Sequence, residues 1–85
     1  MTLAYSPAFE KSFKRLPEAI QRKVRAQLLL LEQDWMDSRL HRKQLQGEER
    51  TYSFRITRDY RAIIFHVEES VLLLVDIGHR KDVYR

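Results

Sequence analysis

The apolar residues of this chain change their spacing once, near Gly47, and that change prescribes helices first and strands afterwards. Before it, Phe9, Phe13 and Leu16 recur at intervals of four and three, with Glu10, Lys11, Lys14 and Arg15 off the stripe. Ser6-Pro7 reads as an N-cap followed by proline at the first helical position. Pro17 breaks this helix and is expected to open the next, over residues 17–35. That second helix carries Ile20, Val24, Leu28, Leu31 and Trp35 on one face. Leu28 to Leu31 form an unbroken apolar run, so its second half is expected to be buried on more than one side.

After a polar connection through 36–49, Tyr52, Phe54 and Ile56 alternate with Ser53, Arg55 and Thr57, the pattern of a half-buried strand. Arg58-Asp59 supplies a reversal, although without the Asn-Gly signature of a tight hairpin. A further strand is expected from Tyr60 to Val67, then a turn at Glu68-Glu69-Ser70. The last strand, Val71 to Ile77, is apolar on both faces and hence central, with its end at Gly78. With an extended segment at 2–5 the order is β-α-α-β-β-β. This predicts one α+β domain over 1–85, a helical hairpin packed on one face of a mainly antiparallel sheet.

Composition narrows the function. The longest apolar run is strand-sized, and the first residues lack the basic and apolar regions of a signal peptide, so no membrane role is expected. There is no cysteine, which excludes disulfides and thiolate zinc sites and fits a reducing cytoplasm. His41, His66 and His79 are scattered, with no carboxylate cluster beside them, so neither a metal nor a cofactor is expected. His66, inside a strand, reads as structural. Lys+Arg number 16 against 12 Asp+Glu, a net charge of +4. Arginine dominates, and its planar fork suits oxyanions.

The arginines fall where a phosphate backbone would need them. Arg55 points away from Phe54 and Ile56, Arg61 begins the neighbouring strand, and His79-Arg80 follow the last one. If these strands are neighbours, Arg55, Arg61 and Arg80 converge with His79 and Tyr84 on one cationic surface. Arg50, Arg58, Lys81 and Arg85 flank it as candidate RNA contacts. A guanidinium pairs with phosphate oxyanions, and because it does not lose its proton near neutral pH it is a poor base. His79 is the natural acid or base on residue type alone, and Tyr84 can donate a proton, orient the nucleophile or stack on a base. Glu48 and Glu49 read as solvated loop charges.

The stretch from Thr51 to Arg61 and the closing Asp76-Ile77-Gly78-His79-Arg80-Lys81-Asp82-Val83-Tyr84 resemble the RelE/ParE superfamily of bacterial toxins. These are the toxins of type II toxin–antitoxin pairs. The resemblance covers essentially the whole chain, including Leu45-Gln46-Gly47 leading into the sheet. It implies a toxin neutralised by a cognate antitoxin, reaching DNA only through that antitoxin. RelE-like members cut mRNA on the ribosome, and ParE-like members poison gyrase. Arg55, Arg61, Arg80 and Tyr84 fall on positions that resemble the RelE-like active site, and His79 stands where relatives place a basic residue or histidine. The resemblance therefore implies a metal-independent endoribonuclease acting on ribosome-bound mRNA. The alternatives are a gyrase inhibitor without chemistry and an inert toxin. Ser53 departs from the pattern, since RelE has a lysine there.

Overall fold

The computed structural model describes residues 1–84 and contains two helices and five strands, in the order β1 (Thr2–Tyr5), α1 (Pro7–Lys14), α2 (Glu18–Gln33), β2 (Lys43–Gln44), β3 (Thr51–Arg55), β4 (Tyr60–Glu68) and β5 (Val71–His79). The sheet order is β1-β5-β4-β3-β2. Only β1 runs parallel to its neighbour, pairing Thr2 to Tyr5 with Val71 to Leu74. The remaining pairs are antiparallel. The expected α+β arrangement is therefore present, with β5 between β1 and β4 as its apolar character predicted.

Local chemistry explains the helix boundaries. Ser6 Oγ accepts from the Phe9 amide at 3.0 Å and donates to the Val75 carbonyl at 2.6 Å, capping α1 and tying it to β5. Pro17 caps α2 without entering it, because its φ/ψ of −54°/146° is extended. Gln21 bridges the junction, its amide donating to the carbonyls of Phe13 and Leu16. The second helix ends at Gln33, before the expected 35, where Asp34 turns extended. Trp35 therefore lies beyond the helix, edge-on to Tyr52 at 5.3 Å with the Arg42 guanidinium 4.5 Å above it. His66 packs against the same indole at 4.7 Å, its ring tilted by 47°.

The core lies between the helices and one sheet face. Phe9, Val24 and Leu31 meet Phe54, Ala62, Ile64, Leu72 and Leu74, with Leu40 closing one end. Each of these side chains larger than Ala62 contributes about 1.5–3 kcal/mol by leaving water. The leucine run is less buried than expected. Leu29 is 61% exposed, because a helix on a flat sheet has only one buried side.

The connection after α2 is more ordered than its polarity suggested. Asp37 caps a single 3-10 turn at Ser38–Leu40, and β2 then joins the sheet edge. The reversal expected at Arg58-Asp59 is present. Thr57 Oγ1 accepts from the amides of Asp59 and Tyr60, doing the work an Asn-Gly pair would otherwise do. Among the described residues no helix is long and apolar enough to cross a membrane.

Candidate functional site

Antiparallel register sorts the face that the helices leave open into rows. One row is Thr51–Phe65–Leu73, the next Lys43–Ser53–Ile63–Asp76, and the third Arg55–Arg61–Gly78. Thr51, Phe65 and Leu73 of the first row and Ile63 and Asp76 of the second, with Leu45, Val75, Val83 and Glu48, line a groove of about 590 Å³ that runs to Tyr84. The third row is the cationic one.

Arg55 and Arg61 are direct cross-strand partners. Like charges in that relation oppose folding by a few tenths to about 1 kcal/mol, a cost that an anionic ligand would reverse. Arg61 is held from two sides. Its Nε and Nη2 donate to Ser53 Oγ at 3.2 and 3.1 Å, and Nη2 also donates to the His41 carbonyl at 2.9 Å. His41 lies in the left-handed region, φ 47°, and closes the 3-10 turn that Asp37 caps. Tyr84, reaching back from the end of the described chain, places its hydroxyl 2.9 Å from the same Ser53 oxygen. Arg61 and Tyr84 thus share one anchor.

Ser53 was expected on the solvent side of the strand, yet it is fully buried. Arg61 and Tyr84 cover it, a tertiary effect that strand alternation cannot show. Lys43 stands opposite Ser53 on the edge strand and is exposed. Neither Lys43 nor the His41 carbonyl carries a sequence signal beyond lying in a basic connection.

The other expected residues are placed differently. Arg55 is exposed, and its carbonyl accepts from Gln27 of α2 at 2.8 Å. It also lines a shallow cleft of about 270 Å³ with Lys23, Arg39 and His41. The expected convergence of His79 on Arg61 and Tyr84 does not occur. β5 continues one residue past Gly78, so alternation turns His79 to the other face, where its ring sits 5.6 Å from Tyr60.

Arg80 is at the right end of the sheet but apart from the Ser53 anchor. Its amide donates to the Asp59 carbonyl at 2.7 Å, and its side chain lies 3.8 Å from the Asp59 carboxylate. Arg58 is exposed in the same turn, and Lys81 is exposed beside it. Arg50 is at the opposite end of β3, roughly 16 Å along the strand from Arg55, with its guanidinium donating to the Val67 carbonyl. Arg85 lies outside the described residues.

A five-stranded sheet with two helices packed on one face is the architecture of several solved toxins. The chain superposes on the RelB–RelE antitoxin–toxin complex from Methanococcus jannaschii with a TM-score of 0.80 at 20% identity, covering 95% of this chain and 94% of that one. The E. coli DinJ–YafQ toxin–antitoxin complex gives a TM-score of 0.80 at 16% identity, with 98% and 96% covered. A YoeB/ParE toxin from Agrobacterium tumefaciens gives 0.78 at 14%, with 94% and 99% covered. No curated protein sequence matches. Residues 3–84 match the family described as the ParE toxin of type II toxin–antitoxin systems. The chain belongs to that family, within the RelE/ParE superfamily of type II toxins.

Proposed function

We propose that this toxin is a metal-independent endoribonuclease that cuts mRNA on the ribosome, thereby inhibiting translation. The observation that carries this reading is the shared anchoring of Arg61 and Tyr84 on Ser53, beside the unpaired like charge of Arg55. In RNA cleavage the 2′-hydroxyl loses its proton and its oxygen attacks phosphorus. The bond from phosphorus to the 5′-oxygen then breaks, and that oxygen takes up a proton. A 2′,3′-cyclic phosphate and a 5′-hydroxyl result.

Arg61 and Arg55 neutralise the charge that grows on the phosphoryl oxygens. Tyr84 orients or protonates a reacting oxygen. Arg80 belongs to the catalytic face as a contact to the adjoining phosphate, with Arg58 and Lys81 beside it. His79, edge-on to Tyr60 on the other face, is assigned no proton transfer. The site supplies few acid–base groups of its own, which suits a substrate that the ribosome already orients.

The toxin is held inactive by a cognate antitoxin, as the RelE and YafQ proteins are solved with RelB and DinJ, and it works in the cytoplasm. Exposed Leu29 and Tyr5 beside the edge strand β1 offer such a partner apolar surface.

The test is a cell-free bacterial translation reaction in which new mRNA 5′ ends are mapped. Cuts in the ribosomal A site, absent from naked mRNA and from Arg61→Ala, are expected. Unimpaired translation and intact mRNA would overturn the reading. A gyrase-directed reading has the family's ParE members in its favour, and stalled gyrase–DNA complexes in the same sample would establish it instead.

A further inference from the structure

Ser53 is the one buried polar residue among the described residues, and a proton count there decides how the site is wired. A serine hydroxyl has two lone pairs and one proton. Arg61 directs both Nε–H and Nη2–H at Ser53 Oγ, which fills the lone pairs. The third neighbour is Tyr84, whose oxygen is 2.9 Å away. If the phenol also donated, one oxygen would receive three protons and the serine's own proton would have no acceptor. Both hydroxyls rotate freely, so the arrangement that satisfies every group has Ser53 donating to Tyr84. The phenol's own proton then points away from Ser53, towards the groove.

We propose that Ser53 is the positioning residue of this site: it locks the Arg61 guanidinium through two hydrogen bonds and spends its proton on the Tyr84 oxygen, leaving the phenol's proton for the RNA. The locked orientation has a second consequence. The His41 carbonyl and Ser53 between them occupy Nε and Nη2, and Nη1 has no partner among the described residues. That free edge is the one available to a phosphoryl oxygen. Ser53 therefore fixes which side of Arg61 and which atom of Tyr84 face the substrate, without touching the substrate itself. Its role towards RNA rests on the ribonuclease reading. The clamp on Arg61 does not.

Two readouts separate these. The first is solvent exchange of the Arg61 Nε–H proton, followed by nitrogen-15 NMR on the purified toxin and assigned by its loss in Arg61→Ala. The second is the rate of mRNA cutting on translating ribosomes at saturating and half-saturating toxin. Ser53→Ala is expected to speed the exchange and slow the saturated cutting rate, each by about tenfold or more, with half-saturation moved less than about threefold. Ser53→Thr, which keeps the hydroxyl, should restore both. In the double variant Ser53→Ala/Tyr84→Phe, cutting should be no slower than in the slower single variant, because the two residues act as one unit.

Unchanged exchange in Ser53→Ala, equal losses in the Ala and Thr variants, or multiplying losses in the double variant would each overturn the proposal. Should Ser53→Ala unfold, Ser53→Cys takes its place, filling the volume with a weak acceptor. If the unaltered toxin cuts no mRNA, the ribonuclease reading fails, while the exchange comparison still decides whether Ser53 holds Arg61.

Discussion

Arg55 and Arg61 stand directly opposite each other on adjacent antiparallel strands, two like charges in one cross-strand pair on the face that the helices leave bare. Like charges so placed oppose folding by a few tenths to about 1 kcal/mol. Arg61→Ala should reduce mRNA cutting by about 10²-fold or more, the usual loss when a transition-state donor is removed. Arg55→Ala should reduce it less, since Arg55 has no anchoring partner among the described residues, and should raise stability by up to ~1 kcal/mol. Cleavage rates and urea unfolding of both variants check the pair.

Lys43 lies across from Ser53 on the edge strand, its Cβ about 5 Å from that of Ser53. In the proposed reading its exposed ammonium would contact a phosphate next to one held by Arg61. Lys43→Ala should weaken binding to a short RNA and flatten its salt dependence by about one counterion. Titrations at several salt concentrations would show both effects.

Ser53→Lys introduces the lysine that the resemblance to RelE implies at this position, and it should not improve this toxin. Position 53 is fully buried beneath Arg61, so a second cation would be desolvated against a like charge. A lower melting temperature and slower cutting than in Ser53→Thr are expected.

Asp37 offers a pH test of the turn that presents His41. Side-chain hydrogen bonds from Arg39, then its amide, hold the Asp37 carboxyl down to about 2. A lowered folded-state value means stabilisation present above the unfolded value of ~3.9 and lost as pH falls towards the folded one. Asp37→Asn should therefore melt lower than the unaltered chain at neutral pH, and the gap should close between pH ~4 and ~2. The effect should be small, because the pair is solvent-screened.

Gly78 is the third member of the cationic row. A Cβ there would meet only Val83 Cβ, at 3.8 Å, an ordinary contact. Gly78→Ala should keep the fold and most of the activity. Gly78→Leu should push the turn carrying Val83 and Tyr84 off the sheet and slow cutting, with little change in melting.

Periodicity made most of the architecture legible. The stripe of Phe9 and Phe13, the alternation of Tyr52, Phe54 and Ile56, and the two-sided apolar strand at 71–77 all express burial, which composition records directly. Boundaries were less legible. Pro17 caps rather than enters α2, and the two-residue β2 has too few residues to show a period. His79 illustrates the cost. One extra strand residue after Gly78 reverses the direction of its side chain, and no local signal distinguishes a strand ending at 78 from one ending at 79.

By itself the sequence determined which residues are available and on which side of each strand they start: Arg55 outward, Arg61 beside the turn, Tyr84 at the end of the described chain. Tertiary structure alone decided what those residues do together. Register set Arg55 against Arg61, and the left-handed turn at His41 brought a carbonyl to the guanidinium. Burial turned Ser53 from a solvent-facing hydroxyl into the common anchor of Arg61 and Tyr84. The physical reason is range. Hydrophobic period is a property of near neighbours along the chain, whereas these hydrogen bonds join residues 8, 20 and 31 positions apart, and only the packed sheet brings them together.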